Sequence, residues 1–237
     1  MQWPIEMSLN ARALLFDMDG TLVDSTAVVE KIWRRFAQRH GIDVDQLLAN
    51  IHGRKTEDSV AAFAPPGLDV AAEAARLTAE EVADTEGVVE IAGASALLSS
   101  LPPERWALVT SAPRALAEAR LAAAGLPLPA VLISGEDVTR GKPDPQGYLA
   151  AARRLGVDPA DCVVFEDAPV GLQAGHAAGM QVVALATTLP TEALGQEYWL
   201  YDYRSLRIDA EHSRLRLDVG LDQARSPASA THPGQSI

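Results

Sequence analysis

The sequence predicts an α/β protein in which a doubly wound parallel sheet carries an inserted helical domain. Short apolar runs occur at residues 13–16, 106–110, 130–134, 162–165 and 181–185. These runs are mostly continuous rather than alternating, which is typical of strands that are buried on both faces. Segments with helical spacing separate the last four runs, and alternation of strand and helix indicates a parallel sheet.

The long gap between the first two runs predicts the inserted domain, because an ordinary crossover between strands is much shorter. Val28, Ile32 and Phe36 fall on one face of a helix that is expected to begin near Asp24 or Ser25. Further helices are predicted over residues 43–50, 57–63 and 69–85. We therefore expect an α/β core formed by residues 8–24 and 93–218, and a helical insert, residues 25–92, that can close over the strand ends as a lid.

The remainder of the chain carries weaker signals. Residues 198–217 are expected to add a sheet edge or a hairpin. Ser, Ala, Pro, Gly and Gln dominate residues 223–237. Such a composition cannot bury enough apolar surface to fold, so it predicts a disordered tail.

Composition and charge limit the possible partners. The chain has 237 residues, of which 48% are hydrophobic, and a net charge of −12, so it can bury a sizeable core and repels nucleic acid and anionic membranes. It contains no apolar stretch of membrane-spanning length, and residues 1–10 lack a secretory pattern. The single cysteine, Cys162, cannot form an intrachain disulfide. These features predict a cytoplasmic protein that binds neither nucleic acid nor membranes.

Two acidic residues, Asp17 and Asp19, follow the first apolar run directly. The carboxyl ends of strands face the ligand crevice in an open α/β sheet, and side chains two positions apart point the same way. Gly20 lets the backbone turn sharply there. The pattern suits a nucleophile with an acid/base partner. The alternatives are a plain strand-to-turn junction and a calcium loop, but Val28 occupies the position of the glutamate that closes a calcium loop.

Polar residues also follow three later runs. Thr110 and Ser111 end the second run and can cradle an anion, or simply cap the next helix. Lys142, fixed between a glycine and a proline, can neutralise a phosphoryl oxygen or an acidic nucleophile, although alone it would be read as a solvated loop charge. Glu166 and Asp167 end the fourth run, where paired acids need a cation or hydrogen-bond donors.

Together these motifs resemble those of the haloacid dehalogenase superfamily of phosphotransferases. The matching residues, in chain order, are Asp17, Asp19, Thr110, Lys142, Glu166 and Asp167. The resemblance covers residues 12–185 and implies a Rossmann-like core whose helical insert corresponds to the family's cap. Residues 51–54, 86–87 and 166–169 look like those of bacterial sugar phosphatases and of glycerol-phosphate and deoxysugar-phosphate phosphatases.

The resemblance implies roles for the acidic residues. Asp17 would attack phosphorus and form an aspartyl phosphate, while Asp19 would protonate the leaving oxygen and then activate water. Mg²⁺ would be held by Asp17, by the backbone carbonyl of Asp19 and by Asp167. Glu166 would orient a metal-bound water.

The resemblance also implies how the substrate is bound. Thr110, the N–H of Ser111 and Lys142 would bind the phosphoryl oxygens. In the helical insert, His52, Arg54 and Lys55 are candidates for substrate contacts. A small phosphorylated metabolite is therefore expected, most of all a sugar or polyol phosphate, bound by a monomer or weak homodimer.

Other activities of the superfamily stay as alternatives. Related dehalogenases lack the second acid of the first motif, so Asp19 argues against dehalogenation. Hexose-phosphate mutases of the β-phosphoglucomutase type carry His and Arg where this chain has Val29 and Thr56, which disfavours a mutase. A sensor that binds a phosphometabolite without catalysis is the third alternative.

Overall fold

The computed structural model of the chain describes residues 5–195, 198–211, 214–220 and 224–225. The helices are α1 (Thr26–His40), α2 (Val44–Ile51), α3 (Thr56–Phe63), α4 (Val70–Ala83), α5 (Ala94–Ser100), α6 (Arg114–Ala123), α7 (Gln146–Leu155) and α8 (Pro169–Ala177). The strands are β1 (Ile5–Ala11), β2 (Ala13–Phe16), β3 (Val23–Asp24), β4 (Val89–Glu90), β5 (Trp106–Val109), β6 (Val131–Ile133), β7 (Cys162–Glu166), β8 (Gln181–Leu185), β9 (Tyr198–Leu200), β10 (Leu206–Glu211), β11 (Arg214–Gly220) and β12 (Ala224–Arg225).

The main sheet has seven strands in the order β12-β9-β8-β7-β2-β5-β6. All neighbours pair in parallel except the edge strand β12, which runs antiparallel to β9. The predicted doubly wound α/β core is confirmed. Because β2 lies between β5 and β7, the carboxyl ends of these three strands meet at one edge of the sheet, and so do the polar residues that follow them.

The helical insert contains α1 to α4, which lie between the short strands β3 and β4. These two strands pair antiparallel, so the chain enters and leaves the insert side by side. The buried face of α1 carries Val28, Ile32 and Phe36, as its spacing predicted. Helix α2 begins after Asp43, whose side chain accepts a hydrogen bond from the N–H of Gln46. The boundaries 8–24, 25–92 and 93–218 stay a prediction.

A second, antiparallel sheet has the order β1-β11-β10. Its first strand was not predicted, although Ile5, Met7, Leu9 and Ala11 alternate with polar residues. Residues 198–217 were predicted to form a sheet edge or a hairpin. Both features are present, because β9 joins the main sheet and β10 pairs with β11. The tail prediction is wrong at residues 224–225, which pair with β9. Gln223 and residues 226–237 lie outside the described residues.

Aromatic packing fixes the strands that carry the acidic residues. The ring of Phe16 on β2 stacks on that of Phe165 on β7 with centroids 4.9 Å apart, and Tyr203 meets both rings edge-on. Stacked and edge-on pairs hold ring positions as well as burying area. The residues that precede Asp17 and Glu166 are therefore packed against each other in the core. None of the helices within the described residues has the length and apolar character that crossing a membrane requires.

Candidate active site

Asp17 and Lys142 form an ion pair at the carboxyl end of β2. The backbone N–H of Asp17 donates to the carbonyl of Phe165 at 3.0 Å, which holds the residue against β7. The Lys142 ammonium donates to Asp17 Oδ1, to Glu166 Oε1 at 2.5 Å and to the carbonyl of Val109 at 3.2 Å. All three charged side chains are buried. The Lys142 ammonium therefore links the acid that follows β2 to the acid that ends β7.

Glu166 has its acceptor positions filled by protein donors. Oε1 accepts from Lys142 and from the hydroxyl of Tyr148 at 3.0 Å, and Oε2 accepts from the N–H groups of Asp167 and Ala168 at 2.9 and 3.1 Å. A carboxylate offers about four such positions. The carboxylate thus fixes Lys142 and the turn after β7, and no position is left for the predicted metal-bound water. Sequence analysis did not identify Tyr148, because it occupies an apolar helix face.

Asp167 is held by two threonines that sequence analysis missed. Thr21 donates to Oδ1 at 3.0 Å, and Thr188 donates to Oδ2. The backbone of Gly20 passes close by with a φ of 78°, and a Cβ there would lie 2.2 Å from Asp167 Oδ2. Only glycine fits this position, both because of its left-handed backbone and because of the crowding.

Oxygen atoms of Asp17, Glu166 and Asp167 lie within 4.8 Å of one another. Burial raises the pKa of Asp17 well above its ordinary range, with Lys142 opposing the shift. Burial also raises the pKa of Asp167 to about 7, and Glu166 adds to the effect. Three buried carboxylates around one lysine leave an excess of negative charge. Because the Glu166 oxygens are filled by protein donors, Asp17 and Asp167 are the carboxylates of this cluster that could bind a cation, and oxygen donors suit a hard divalent cation such as Mg²⁺.

Asp19 points into a cavity and is held at both carboxylate oxygens. Ser25 donates to Oδ1 at 2.6 Å, so this hydroxyl binds Asp19 and does not cap α1. Arg120 donates to Oδ2 from Nη1, also at 2.6 Å. Sequence analysis missed Arg120 and its second carboxylate partner, Glu81. The sequence signal available was an arginine among the apolar residues of α6.

Thr110 and Ser111, the residues of the predicted phosphate cradle, follow β5 and line the cavity. Thr110 Oγ1 accepts from the N–H of Ala112 at 3.1 Å, which shapes the turn after β5. The Ser111 hydroxyl donates to the carbonyl of Gly53 at 2.8 Å and ties the core to the helical insert. The predicted role of Ser111 uses its N–H, which this contact leaves unchanged.

The predicted substrate contacts of the helical insert separate into two groups. His52 and Arg54 line the cavity, whereas the Lys55 ammonium donates to the carbonyl of Val138 at 2.8 Å and is not among the lining residues. Burial lowers the pKa of His52, with Glu30 and Asp19 opposing the shift. His52 and Arg54 therefore have the stronger support as substrate contacts.

The cavity brings most of the predicted site together. Its lining combines the acids and hydroxyls of the core with side chains of the helical insert: Asp17, Asp19, Gly20, Ser25, Thr26, Val29, Trp33, Ile51, His52, Gly53, Arg54, Thr56, Glu81, Thr110, Ser111, Ala112, Leu116, Arg120 and Thr188. Lys142 and Asp167 lie behind it, each bonded to a lining residue. The arrangement places two acids, Asp17 and Asp19, at one opening, with Lys142 bonded to Asp17 behind it.

Comparisons with known proteins agree with this geometry. The family model for haloacid dehalogenase-like hydrolases matches residues 11–179. Hexitol phosphatase A of Escherichia coli (strain K12) is 44% identical over 192 residues, which cover 79% of this chain and 89% of that protein. Glycerol-1-phosphate phosphohydrolase 2 of Saccharomyces cerevisiae is 36% identical over 219 residues, 85% of this chain and 86% of that protein.

Solved structures give the same result for the fold. The crystal structure of CbbY from Rhodobacter sphaeroides in complex with phosphate superposes with a TM-score of 0.61 at 26% identity. The match covers 74% of this chain and 86% of that one. The chain belongs to the haloacid dehalogenase-like hydrolase family.

Proposed function

We propose that the chain is a Mg²⁺-dependent phosphatase of small phosphate monoesters, most of all sugar or polyol phosphates, and that it works through an aspartyl phosphate. The observation that supports this most strongly is the buried Asp17, paired with Lys142 at a strand end that opens on the cavity. The names of two relatives, a hexitol phosphatase and a glycerol-1-phosphate phosphohydrolase, indicate the substrate class.

The first half of the reaction forms the intermediate. A carboxylate oxygen of Asp17 attacks phosphorus, and the bond to the leaving oxygen breaks with its electron pair on that oxygen. Asp19 gives its proton to the leaving oxygen, so the product departs as a neutral alcohol. Thr110 and the Ser111 N–H contact the phosphoryl oxygens, where negative charge collects in the transition state. The Lys142 ammonium, whose three N–H groups bond Asp17, Glu166 and the Val109 carbonyl, supplies positive charge beside Asp17.

The second half of the reaction releases phosphate. Asp19, now ionised, takes a proton from a water molecule that attacks phosphorus, and the bond to Asp17 breaks. Asp17, the Asp19 carbonyl and Asp167 would hold Mg²⁺, which neutralises charge between the nucleophile and the phosphoryl group when it is bound. The closeness of carboxylate oxygens of Asp17 and Asp167, which lie within 4.8 Å of each other, supports this assignment.

The helical insert supports a small polar substrate rather than a mutase reaction. His52 and Arg54 line the cavity and offer polar contacts to hydroxyl groups. Val29 and Thr56, at the positions where the resembling mutases carry His and Arg, also line it and supply no basic group. The full set of acids, hydroxyl and lysine argues against a sensor without activity.

Phosphate release from a substrate panel tests the proposal. The panel holds sugar phosphates, polyol phosphates and nucleotides, each with and without Mg²⁺, and Asp17→Asn serves as the blank. We expect Mg²⁺-dependent release from sugar or polyol phosphates and none from the blank. Phosphate release from nucleotides alone would contradict the proposed substrate class. No phosphate release from any substrate by a folded protein would contradict the proposed activity.

A further inference from the structure

Arg120 is a buried cation that connects Asp19 to the helical insert. Its side chain is only 4% exposed. Nη1 lies 2.6 Å from Asp19 Oδ2, and Nη2 lies 3.3 Å from Oε2 of Glu81. Asp19 and Arg120 belong to the core side of the molecule, whereas Glu81 lies on α4. One guanidinium therefore spans the junction between the two parts.

Two donors fix the direction of the Asp19 carboxylate. Ser25 donates to one oxygen and Arg120 to the other, while the side chain of Asp19 stays 31% exposed toward the cavity. The terminal torsion of an aspartate is broad, so a single donor would leave the group free to rotate. Bonds to both oxygens select one orientation. That orientation decides where Asp19 can deliver a proton.

Glu81 in turn holds Arg120. Its side chain is 5% exposed, and its Oε1 accepts from the indole N–H of Trp33 at 3.1 Å. Among the described residues, Nε and Nη2 of Arg120 are buried without a hydrogen-bond partner. The charge of Glu81 compensates that half of the guanidinium. Without it, the guanidinium is expected to shift away from Asp19 toward solvent.

We propose that Arg120, held by Glu81 of the helical insert, is the positioning residue that orients Asp19 for protonation of the leaving oxygen. The inference rests on the proposed phosphatase function and adds a residue pair to it. The steps affected are the two in which Asp19 moves a proton. In the first, its proton goes to the leaving oxygen, which keeps the electron pair of the broken P–O bond, and in the second Asp19 takes a proton from the attacking water. The value of kcat/KM reports the first of these. Attack by Asp17 is not affected.

Leaving groups with different needs for a proton separate this role from a structural one. The alcohol of an alkyl phosphate needs the proton of Asp19 to leave. The leaving group of p-nitrophenyl phosphate is p-nitrophenolate, a stable anion that leaves without that proton. The test compares kcat/KM for p-nitrophenyl phosphate with that for the alkyl phosphate ranked first by the substrate panel. The variants are Arg120→Met, Arg120→Lys and Glu81→Gln. Arg114→Met on the same helix is the control, because Arg114 bonds Asp137 and the Leu132 carbonyl, away from the cavity.

We expect Arg120→Met to lower kcat/KM for the alkyl phosphate about 100-fold, as loss of general acid catalysis would, and that for p-nitrophenyl phosphate by less than about threefold. Glu81→Gln, which keeps the shape of the side chain, and Arg120→Lys should lower the alkyl value about 10-fold. Arg114→Met should change neither value. Since Glu81→Gln is isosteric, it tests the inference even where Arg120→Met does not fold.

The outcomes keep the inference and the proposed function apart. Equal losses on both substrates, or no loss on either, overturn the positioning role while the phosphatase activity stands. Wild-type protein that hydrolyses neither substrate overturns the proposed function and the inference with it.

Discussion

Lys142 and Glu166 form a buried ion pair of 2.5 Å, and the same ammonium also binds Asp17. Burial alone would lower the pKa of Lys142, but the two carboxylates more than offset it and raise that pKa. We therefore expect the lysine to be charged and to act by electrostatics rather than by proton transfer.

Removing this cation should harm both activity and stability. Lys142→Met leaves two buried carboxylates without their counterion, so we expect a loss of about 3 kcal/mol in the free energy of unfolding. Loss of the positive charge beside the phosphoryl group should lower kcat about 100-fold or more. Arg140→Met is the control, because Arg140 pairs with Asp144 at the surface, and it should change stability by less than about 1 kcal/mol. Urea unfolding and phosphate release measure the two effects, and a fully active Lys142→Met protein would contradict this account.

The charge of Asp167 should cost stability when no cation is bound. Its pKa is about 7 in the folded protein and about 3.9 in an unfolded chain. Because the folded state holds this proton more tightly, protonated Asp167 stabilises the fold fully below about pH 4, and this stabilisation is lost as the pH rises to about 7. Asp167→Asn should remove that loss.

Urea unfolding in EDTA at pH 5 and pH 8 measures the effect of Asp167→Asn. The variant should gain stability relative to the wild type, by on the order of 2 kcal/mol more at pH 8 than at pH 5. Mg²⁺ should then stabilise the wild type and not the variant. Equal gains at both pH values would show that the charge of Asp167 is not the cause.

A side chain at position 20 should disturb the predicted cation site. Gly20 and Gly41 both have left-handed backbones, with φ of 78° and 67°, but only Gly20 is crowded, by Asp167 and Thr188. Gly41→Ala should cost about 1 kcal/mol, the price of the backbone alone. Gly20→Ala should cost at least about 2 kcal/mol and weaken the Mg²⁺ dependence of the melting temperature. Equal costs, with Mg²⁺ dependence intact, would contradict the crowding.

His52 should act on substrate binding rather than on the chemical step. Since burial lowers its pKa, it is neutral at pH 7 and offers one donor and one acceptor. His52→Ala should raise KM for the preferred sugar or polyol phosphate about 10-fold, the effect of one hydrogen bond, with kcat nearly unchanged. His40→Ala is the control, because His40 binds Glu73 and does not line the cavity. An unchanged KM would remove His52 from the substrate site.

The sequence predicted the parts of the site that lie at strand ends. Asp17 and Asp167 were recognisable because acids are unusual directly after buried apolar runs, and because parallel strands bring their carboxyl ends to one edge. Lys142 was recognisable because a glycine and a proline fix its loop. The apolar runs predicted the α/β core, and the long gap between the first two runs predicted the helical insert. Strand β1 was missed because its partner strand lies at the other end of the chain.

Side chains that reach the site from helix faces were not predictable in the same way. Glu81 follows another glutamate on α4, and Tyr148 follows the apolar pattern of α7, so neither differs from an ordinary helix residue. Their partners are distant in sequence, and only tertiary packing brings them together. Glu166 was identified, but its four protein donors could not be foreseen from the paired acids alone.

The aspartyl phosphate on Asp17 can be trapped in an Asp19→Asn variant. The variant lacks the base that activates water, but p-nitrophenyl phosphate needs no acid to leave, so the intermediate should accumulate in the presence of Mg²⁺. Acid quenching and peptide mass spectrometry then locate the phosphoryl group. We predict close to one phosphoryl group per protein, on the peptide and side chain of Asp17. A phosphoryl group on another residue, or none while wild-type protein hydrolyses the same ester, would contradict the account.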